Sequence, residues 1–266
     1  MLCWGLRRVQ PFSEPFVEQG ACGAMKLDEL EKKIGSVGEA DLDTLWTALV
    51  EFTAERGVKR IACHHLPPMG SPDAGVLRFA NSGFPESAVE CYLRERKAGN
   101  TPIAFMAQSR TVPIYWDEID KLKSLTPTER EYLQAAREEG LVNGCGLQVF
   151  GPNGRNGFFA LGFGSVRRLP ANDMREIQLA CQSAHLAYCA FLLDSMGAPP
   201  DLSAREAEVL GWVAQGKSNA VIGDILGISA HTVDAHLRKI YLKLGVFDRI
   251  TAALRGLGFG LIYSSR

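Results

Sequence analysis

LSAREAEVLGWVAQGKSNAVIGDILGISAHTVDAHLRKIYLKL, residues 202–244, reads as three short helices, the last with one apolar and one polar face. Ser203 followed by Glu206 is a capping box: hydroxyl and carboxylate satisfy orphan amides at a helix start. That helix runs to about Gln215, and Gly216 stops it with a residue that tolerates a left-handed backbone. Ser218 or Asn219 opens the second helix, whose Val221, Ile222, Ile225 and Leu226 face inward. Gly227 ends it, and Ser229 opens the third.

In the third helix Val233, Leu237, Ile240 and Leu244 fall on one stripe at roughly 100° per residue. The opposite side carries His231, Ala235 and Arg238, flanked by Asp234, Lys239 and Lys243. Two helices joined by a tight glycine-containing turn, the second with a small and polar outer face, describe a helix-turn-helix. Such a helix fits the major groove, where Arg pairs bidentately with guanine and Ala touches a thymine methyl. Amphipathicity alone fits an ordinary helical bundle with a solvated charged face equally well.

The residues themselves decide between the two. LSAREAEVL, W.A.GKSN, IGDILGIS, HTV..HL.KIY.KLGV and R...A resemble the LuxR/FixJ-type helix-turn-helix over about the last 65 residues. The resemblance implies a small all-α domain over 202–266 that docks on double-stranded DNA as a homodimer. From Asp248 onward it implies a fourth, partner-facing helix. Carried onto this chain, His231, Ala235 and Arg238 read bases. Thr232, His236, Lys239 and Lys243 contact phosphates, together with the amides of Lys217, Ser218 and Asn219. Two positions depart from the family pattern. Val221 stands where an acid is common, and Asp234 stands where a base is frequent. An acid repels phosphates, so Asp234 either reads a cytosine amino group or narrows the set of tolerated operators.

A chain of 266 residues has room for two domains. Its net charge of −1 divides unevenly: residues 201–266 hold 8 Lys/Arg against 6 Asp/Glu, and residues 1–200 hold 21 against 24. The C-terminal excess has the right sign for nucleic acid but is small, so dimerisation has to add to DNA affinity. The seven cysteines (Cys3, Cys22, Cys63, Cys91, Cys145, Cys181 and Cys189) are odd in number and show no C-x-x-C spacing. That reads as reduced thiols in a cytoplasmic protein, with no metal site and no cofactor. No apolar run approaches the roughly 18 residues of a membrane span. Residues 1–24 read as an irregular arm, or as chain upstream of a true start at Met25.

From Leu27 the chain is patterned. Leu27, Leu30 and Ile34 predict a short helix, and 42–56 a second, with Leu45, Leu49 and Phe52 buried. VKRIACHHL (58–66) reads as a strand and PPMGSPDAG (67–75) as a turn; Val76–Asn81 reads as another strand, followed by a helix over 86–97. Residues 111–115 are extended. Thr126-Pro127-Thr128-Glu129 is a capping box opening a helix that ends at Gly140. CGLQVFGPNGRNGFFALGFGS (145–165) has a strand–turn–strand shape, a long helix follows over 172–196, and GAPPD (197–201) is a linker. The fold class is α+β: a sensor-sized α-β-α sandwich with an antiparallel sheet over 25–196, then the helix-turn-helix domain. Phe79, Phe84, Tyr92, Phe105, Tyr115, Trp116, Phe158 and Phe159 cluster where a pocket wall could lie, although aromatics alone read as core.

Residues 40–190 resemble the autoinducer-binding domain of LuxR-type quorum-sensing regulators. Tyr92, Pro102, Trp116, the helix after Thr126 and Gly140-x-x-x-Gly144 carry the likeness, with the spacing from Tyr92 to Gly144 matching without a gap. The resemblance implies a site for a small apolar signal at Tyr92, Ala88, Thr101, Trp116, Phe105, Tyr115 and Gly144. The family's pocket holds a tryptophan four residues before the tyrosine and an aspartate before the proline, anchoring the lactone carbonyl and the amide of an acyl-homoserine lactone. Here those positions are Ala88 and Thr101. A carboxylate hydrogen bond contributes about 1.5–3 kcal/mol and a neutral hydroxyl about 0.5–1.5. The ligand is therefore a lactone held by another geometry or a different small apolar molecule, or else side chains fill the space.

Other classes fit less well. Cys63-His64-His65 could supply a nucleophile and base or metal ligands, but strand neighbours point to opposite faces, and no third ligand lies at local spacing. They read as a core cysteine and surface histidines, and the chain as a regulator without enzymatic chemistry. GPNGRNG (151–157) sits inside a hairpin and precedes no helix, so it is no phosphate loop. A phosphorylatable receiver needs an acidic pair after its first strand, where this chain has HHLPP. A regulator that dimerises with or sequesters another protein, without any ligand, remains as the alternative.

Overall fold

The computed structural model describes residues 25–35, 42–74, 78–97 and 99–262. The expected arm over 1–24 lies outside the described residues. The described chain forms two compact units, one of residues 25–35, 42–65, 78–97, 99–150 and 157–188, the other of 66–74, 151–156 and 189–262.

The first unit is built on a five-stranded sheet. Its strands are β1 (Arg60–Leu66), β2 (Phe79–Ser82), β3 (Ile114–Tyr115), β4 (Gly144–Val149) and β5 (Asn156–Gly162), in the order β2-β1-β5-β4-β3. The β1–β2, β3–β4 and β4–β5 pairs are antiparallel, with Cys63 opposite Ala80 and Leu147 opposite Phe159. Successive side chains leave a strand on opposite faces. Ile61, Cys145, Leu147, Val149, Phe159 and Leu161 therefore join one core with α1 (Leu27–Gly35), α2 (Leu42–Glu55) and α7 (Ala171–Met196). Ala62, His64, Phe158 and Ala160 face the other way, toward α3 (Glu86–Lys97), α4 (Pro102–Ala107) and α6 (Pro127–Glu138). The α-β-α sandwich with its antiparallel sheet is the expected fold. The short helix α5 (Ile119–Leu122) links β3 to α6.

Local signals fix the helix ends. Thr126 accepts from the Glu129 amide and the Glu129 carboxylate from the Thr126 amide, at 3.2 and 2.9 Å, so the capping box forms as written. One reading fails in this unit. His64 and His65 are buried, not on the surface, because both faces of β1 are covered. His65 also has a ring neighbour that local spacing could not show: His185 of α7, at 5.8 Å.

The second unit holds α8 (Ala204–Ala214), α9 (Asn219–Leu226), α10 (Ala230–Leu244) and α11 (Arg249–Gly258) around Val209, Leu210, Val213, Ile222, Val233, Leu237, Ile240 and Leu244. Ser203, Ser218, Ser229 and Asp248 cap these four helices in turn. The turn from α9 to α10 is tight enough that a side chain at Gly223 would press on the Ile228 carbonyl at 2.6 Å. Gly227 makes the turn at φ +66°, a conformation that costs glycine little. Within the same unit Arg155 is fully buried. It donates to the Gly258 carbonyl at the end of α11 (2.8 Å) and to Asp73 (3.0 Å).

Candidate functional site

Helix α10 presents the exposed face that its sequence promises. Val233, Leu237, Ile240 and Leu244 are buried, while His231, Thr232, Ala235, Arg238 and Lys239 are exposed. Asp234 and Arg238 form an ion pair at 2.8 Å, one turn apart. Thr232 shares a hydrogen bond with the capping hydroxyl of Ser229 at 2.8 Å, which orders the first turn.

Two of the residues assigned to phosphate contact also make side-chain bonds within this unit. Lys243 donates to Glu206 at 2.7 Å and ties α10 to the start of α8. Burial pushes the Glu206 carboxyl up, but the Lys243 ammonium and the Ser203 amide outweigh it and hold the group below the usual range. The Asn219 side chain accepts from Arg249 at 2.8 Å, and the same guanidinium donates to the Lys217 carbonyl. Arg249 thereby fixes the entry to α9. Ser218 is the cap of that helix, its hydroxyl accepting from the Val221 amide.

The first unit contains a cavity of about 150 Å³ between the sheet and α3, α4 and α6. Ala88, Tyr92, Thr101 and Trp116 line it, as do Phe79, Phe84 and Phe158, whose aromatics alone had read as core. Phe105, Tyr115 and Gly144 lie outside its wall. Phe105 is 67% exposed, because its side of α4 faces solvent. Tyr115 neighbours Trp116 in sequence but packs against Phe163 and the Arg168 guanidinium, on the α7 side of the sheet. Gly144 acts at one remove: a Cβ there would meet the Trp116 ring at 2.6 Å, so its bareness lets the indole lie across the strand. His64 and Tyr132 also line the cavity, and no pattern in the sequence marked them.

The polar atoms of the cavity sit at fixed places. The Tyr92 hydroxyl lies 3.0 Å from Nδ1 of His64, and Nε of Arg96 donates to the same nitrogen at 3.1 Å. Burial, then the Arg96 charge and His65, push His64 down to about 3, so the ring is neutral. Burial pushes the Tyr92 and Tyr132 phenols up, so both keep their protons. Thr101 is 4% exposed and makes no side-chain bond to the start of α4. Asp117 is held by Arg168 and Arg167, both at 2.8 Å, and these pairs keep it below its usual range against the effect of burial.

An apolar cavity in an α-β-α sandwich and a helix-turn-helix in the same chain define a class: regulators that join a small-molecule domain to a DNA-binding one. Comparison with known proteins agrees. Residues 41–188 match the autoinducer binding domain, and residues 200–255 match the bacterial regulatory proteins of the luxR family. The chain belongs to this family of LuxR-type transcriptional regulators.

It is 28% identical over 247 residues to the transcriptional activator protein AhyR of Aeromonas hydrophila, across 90% of this chain and 94% of that protein. It is 26% identical over 186 residues to the regulatory protein SdiA of Escherichia coli (strain K12), across 68% and 75%. A crystal structure of SdiA superposes with a TM-score of 0.66 at 20% identity, across 90% of this chain and 98% of the other. SdiA in complex with octanoyl-rac-glycerol gives 0.66 at 19% identity. At these identities the structural likeness speaks for the fold. No helix among the described residues is long and apolar enough to cross a membrane.

Proposed function

We propose that this protein is a ligand-responsive transcription regulator of the cytoplasm whose signal is a small, neutral, largely apolar molecule held in the first unit's cavity. The observation that carries this reading is the cavity itself. It is apolar over most of its wall, and Ala88, which stands where the family carries a large ring, is part of that wall. Ligand binding stabilises the folded domain by mass action and favours a homodimer. The dimer sets two copies of α10 into successive major grooves of a palindromic site. His231, Ala235 and Arg238 read bases, with Thr232, His236 and Lys239 at phosphates. Lys243 also meets a phosphate while tying α10 to α8 through Glu206, and the amides of Lys217, Ser218 and Asn219 add further phosphate contacts.

The relative SdiA has been solved with octanoyl-rac-glycerol, an uncharged acyl ester, which makes acyl glycerols a natural probe beside acyl-homoserine lactones. The test is thermal unfolding of protein made in a host without signal synthases, with each compound added. A ligand at a hundred times its Kd adds about 2.7 kcal/mol, enough to move the transition by several degrees. A shift with one compound supports sensing. No shift with any, from protein that still binds DNA, turns the reading toward ligand-independent control through protein contacts.

A further inference from the structure

Among the polar groups that line the cavity, the imidazole of His64 is the one whose tautomer the geometry fixes. Arg96 can only donate, and its Nε–H points at Nδ1 from 3.1 Å. Nδ1 therefore carries a lone pair, and the Tyr92 hydroxyl 3.0 Å away donates to it as well. A neutral ring with a bare Nδ1 has its hydrogen on Nε2. His64 is 7% exposed and lines the cavity, and its Nε2 makes no hydrogen bond to any described residue. An N–H on a largely apolar cavity wall without a protein partner leaves a hydrogen bond for a ligand acceptor to complete.

The rest of the cavity has the same bias. Trp116, Tyr132 and Thr101 can each donate, and none of these side chains hydrogen-bonds to a described residue. The lining carboxylate, Asp117, already accepts from Arg167 and Arg168. Donors are in excess and the carboxylate acceptor is taken. A head group rich in oxygen acceptors fits such a wall, and one that can only donate does not.

We propose that His64 is the head-group donor of this cavity, its Nε2–H meeting a carbonyl oxygen of a neutral ligand with an apolar tail, and that Arg96 is the positioning residue that fixes the tautomer. This inference rests on the sensing function proposed above. His64 takes over the donor role that the residue at Ala88 no longer supplies, from the strand side of the cavity and not the helix side.

Two measurements on the full-length protein test it. The first needs no ligand: ¹⁵N NMR of the histidine side chains, with the His64 signals assigned by their loss in His64→Gln. The expected spectrum shows an unprotonated Nδ1 and a protonated Nε2, unchanged between pH 5 and pH 8. A protonated Nδ1, or a signal that titrates in that range, overturns the proposal. The second is binding of 1-octanoylglycerol, N-octanoyl homoserine lactone and octylammonium to wild type, His64→Leu and His64→Gln. Wild type should take at least one octanoyl compound and reject octylammonium. His64→Leu should bind about tenfold more weakly, and His64→Gln, which keeps a donor, within about threefold of wild type. If His64→Leu fails to fold, the glutamine variant and the tautomer decide. Octylammonium binding as tightly as the octanoyl compounds contradicts the acceptor class. Equal binding of an octanoyl compound by all three proteins removes His64 while leaving sensing intact. Wild type that binds neither octanoyl compound removes the sensing function and this proposal with it.

Discussion

Asp234 holds Arg238 at 2.8 Å on the exposed face of α10, so the arginine proposed to read a base is already engaged by an acid one turn before it. In the proposed docking the pair has two effects on DNA. It orients the guanidinium, and it places a negative charge near phosphates that repel it. Replacing Asp234 with Asn should therefore raise non-specific affinity by roughly three- to tenfold at low salt and steepen the salt dependence. At the same time the preference for the specific site should shrink. Titration of one specific and one scrambled duplex at several salt concentrations measures both. Unchanged affinity for the scrambled duplex would place Asp234 away from the phosphates.

Glu206 links the α8 cap to α10 through Lys243 (2.7 Å), and Glu129 plays the same capping role for α6. Against the effect of burial, their hydrogen-bond partners hold both carboxyls below the ordinary glutamate range. A carboxyl whose folded-state pKa is depressed contributes stability that is complete above its unfolded value and is lost as pH falls through the folded one. Stability should therefore drop on the acid side, below about pH 4.5. Glu206→Gln should cost about 1 kcal/mol at pH 7 and flatten that acid limb. Urea unfolding between pH 3 and pH 7 shows whether it does.

The Arg155–Asp73 pair in the second unit predicts an asymmetry. Both side chains are essentially fully buried. Asp73→Ala leaves a buried cation without its carboxylate and should cost about 3–5 kcal/mol, whereas replacing both residues by apolar ones of similar size should cost much less. Equal losses in the single and double variants, read by urea unfolding, would show that the charge is tolerated there without its partner.

Ala88→Trp restores the large ring that the family carries, into a cavity of about 150 Å³. The indole should fill the space, leave the fold at least as stable, and abolish any shift in unfolding temperature that 1-octanoylglycerol gives with wild type. Retention of that shift would place the binding site elsewhere.

Much of this was legible in the chain. Capping boxes at Thr126 and Ser203 and left-handed glycines at Gly227 and Gly245 set helix ends through contacts within four residues, so the sequence displays them directly. The stripe of Val233, Leu237, Ile240 and Leu244 is visible for the same reason. Long-range pairings were not. Lys243 meets Glu206 across 37 positions, and Arg249 meets Asn219 across 30, so these pairings follow from packing that no local pattern encodes. β1 lacks the alternation of a half-exposed strand because helices cover both its faces, which hid the burial of His64 and His65. Phe105 sits on a six-residue helix, too short for periodicity to assign its side. Tyr115 and Trp116 follow one another across a strand end and part to opposite faces of the sheet.

The central claim is that α10 reads DNA as one of a symmetric pair. Selection of binding sites from a random duplex pool, by wild type and by Arg238→Ala, tests it directly. Wild type should enrich palindromes whose half-sites lie about one helical turn apart, roughly 10 base pairs. Arg238→Ala should lose its preference at one position in each half and bind about 1–3 kcal/mol more weakly. An unchanged preference in the variant, or enrichment of sites without symmetry, would contradict the assignment of α10 and of the dimer.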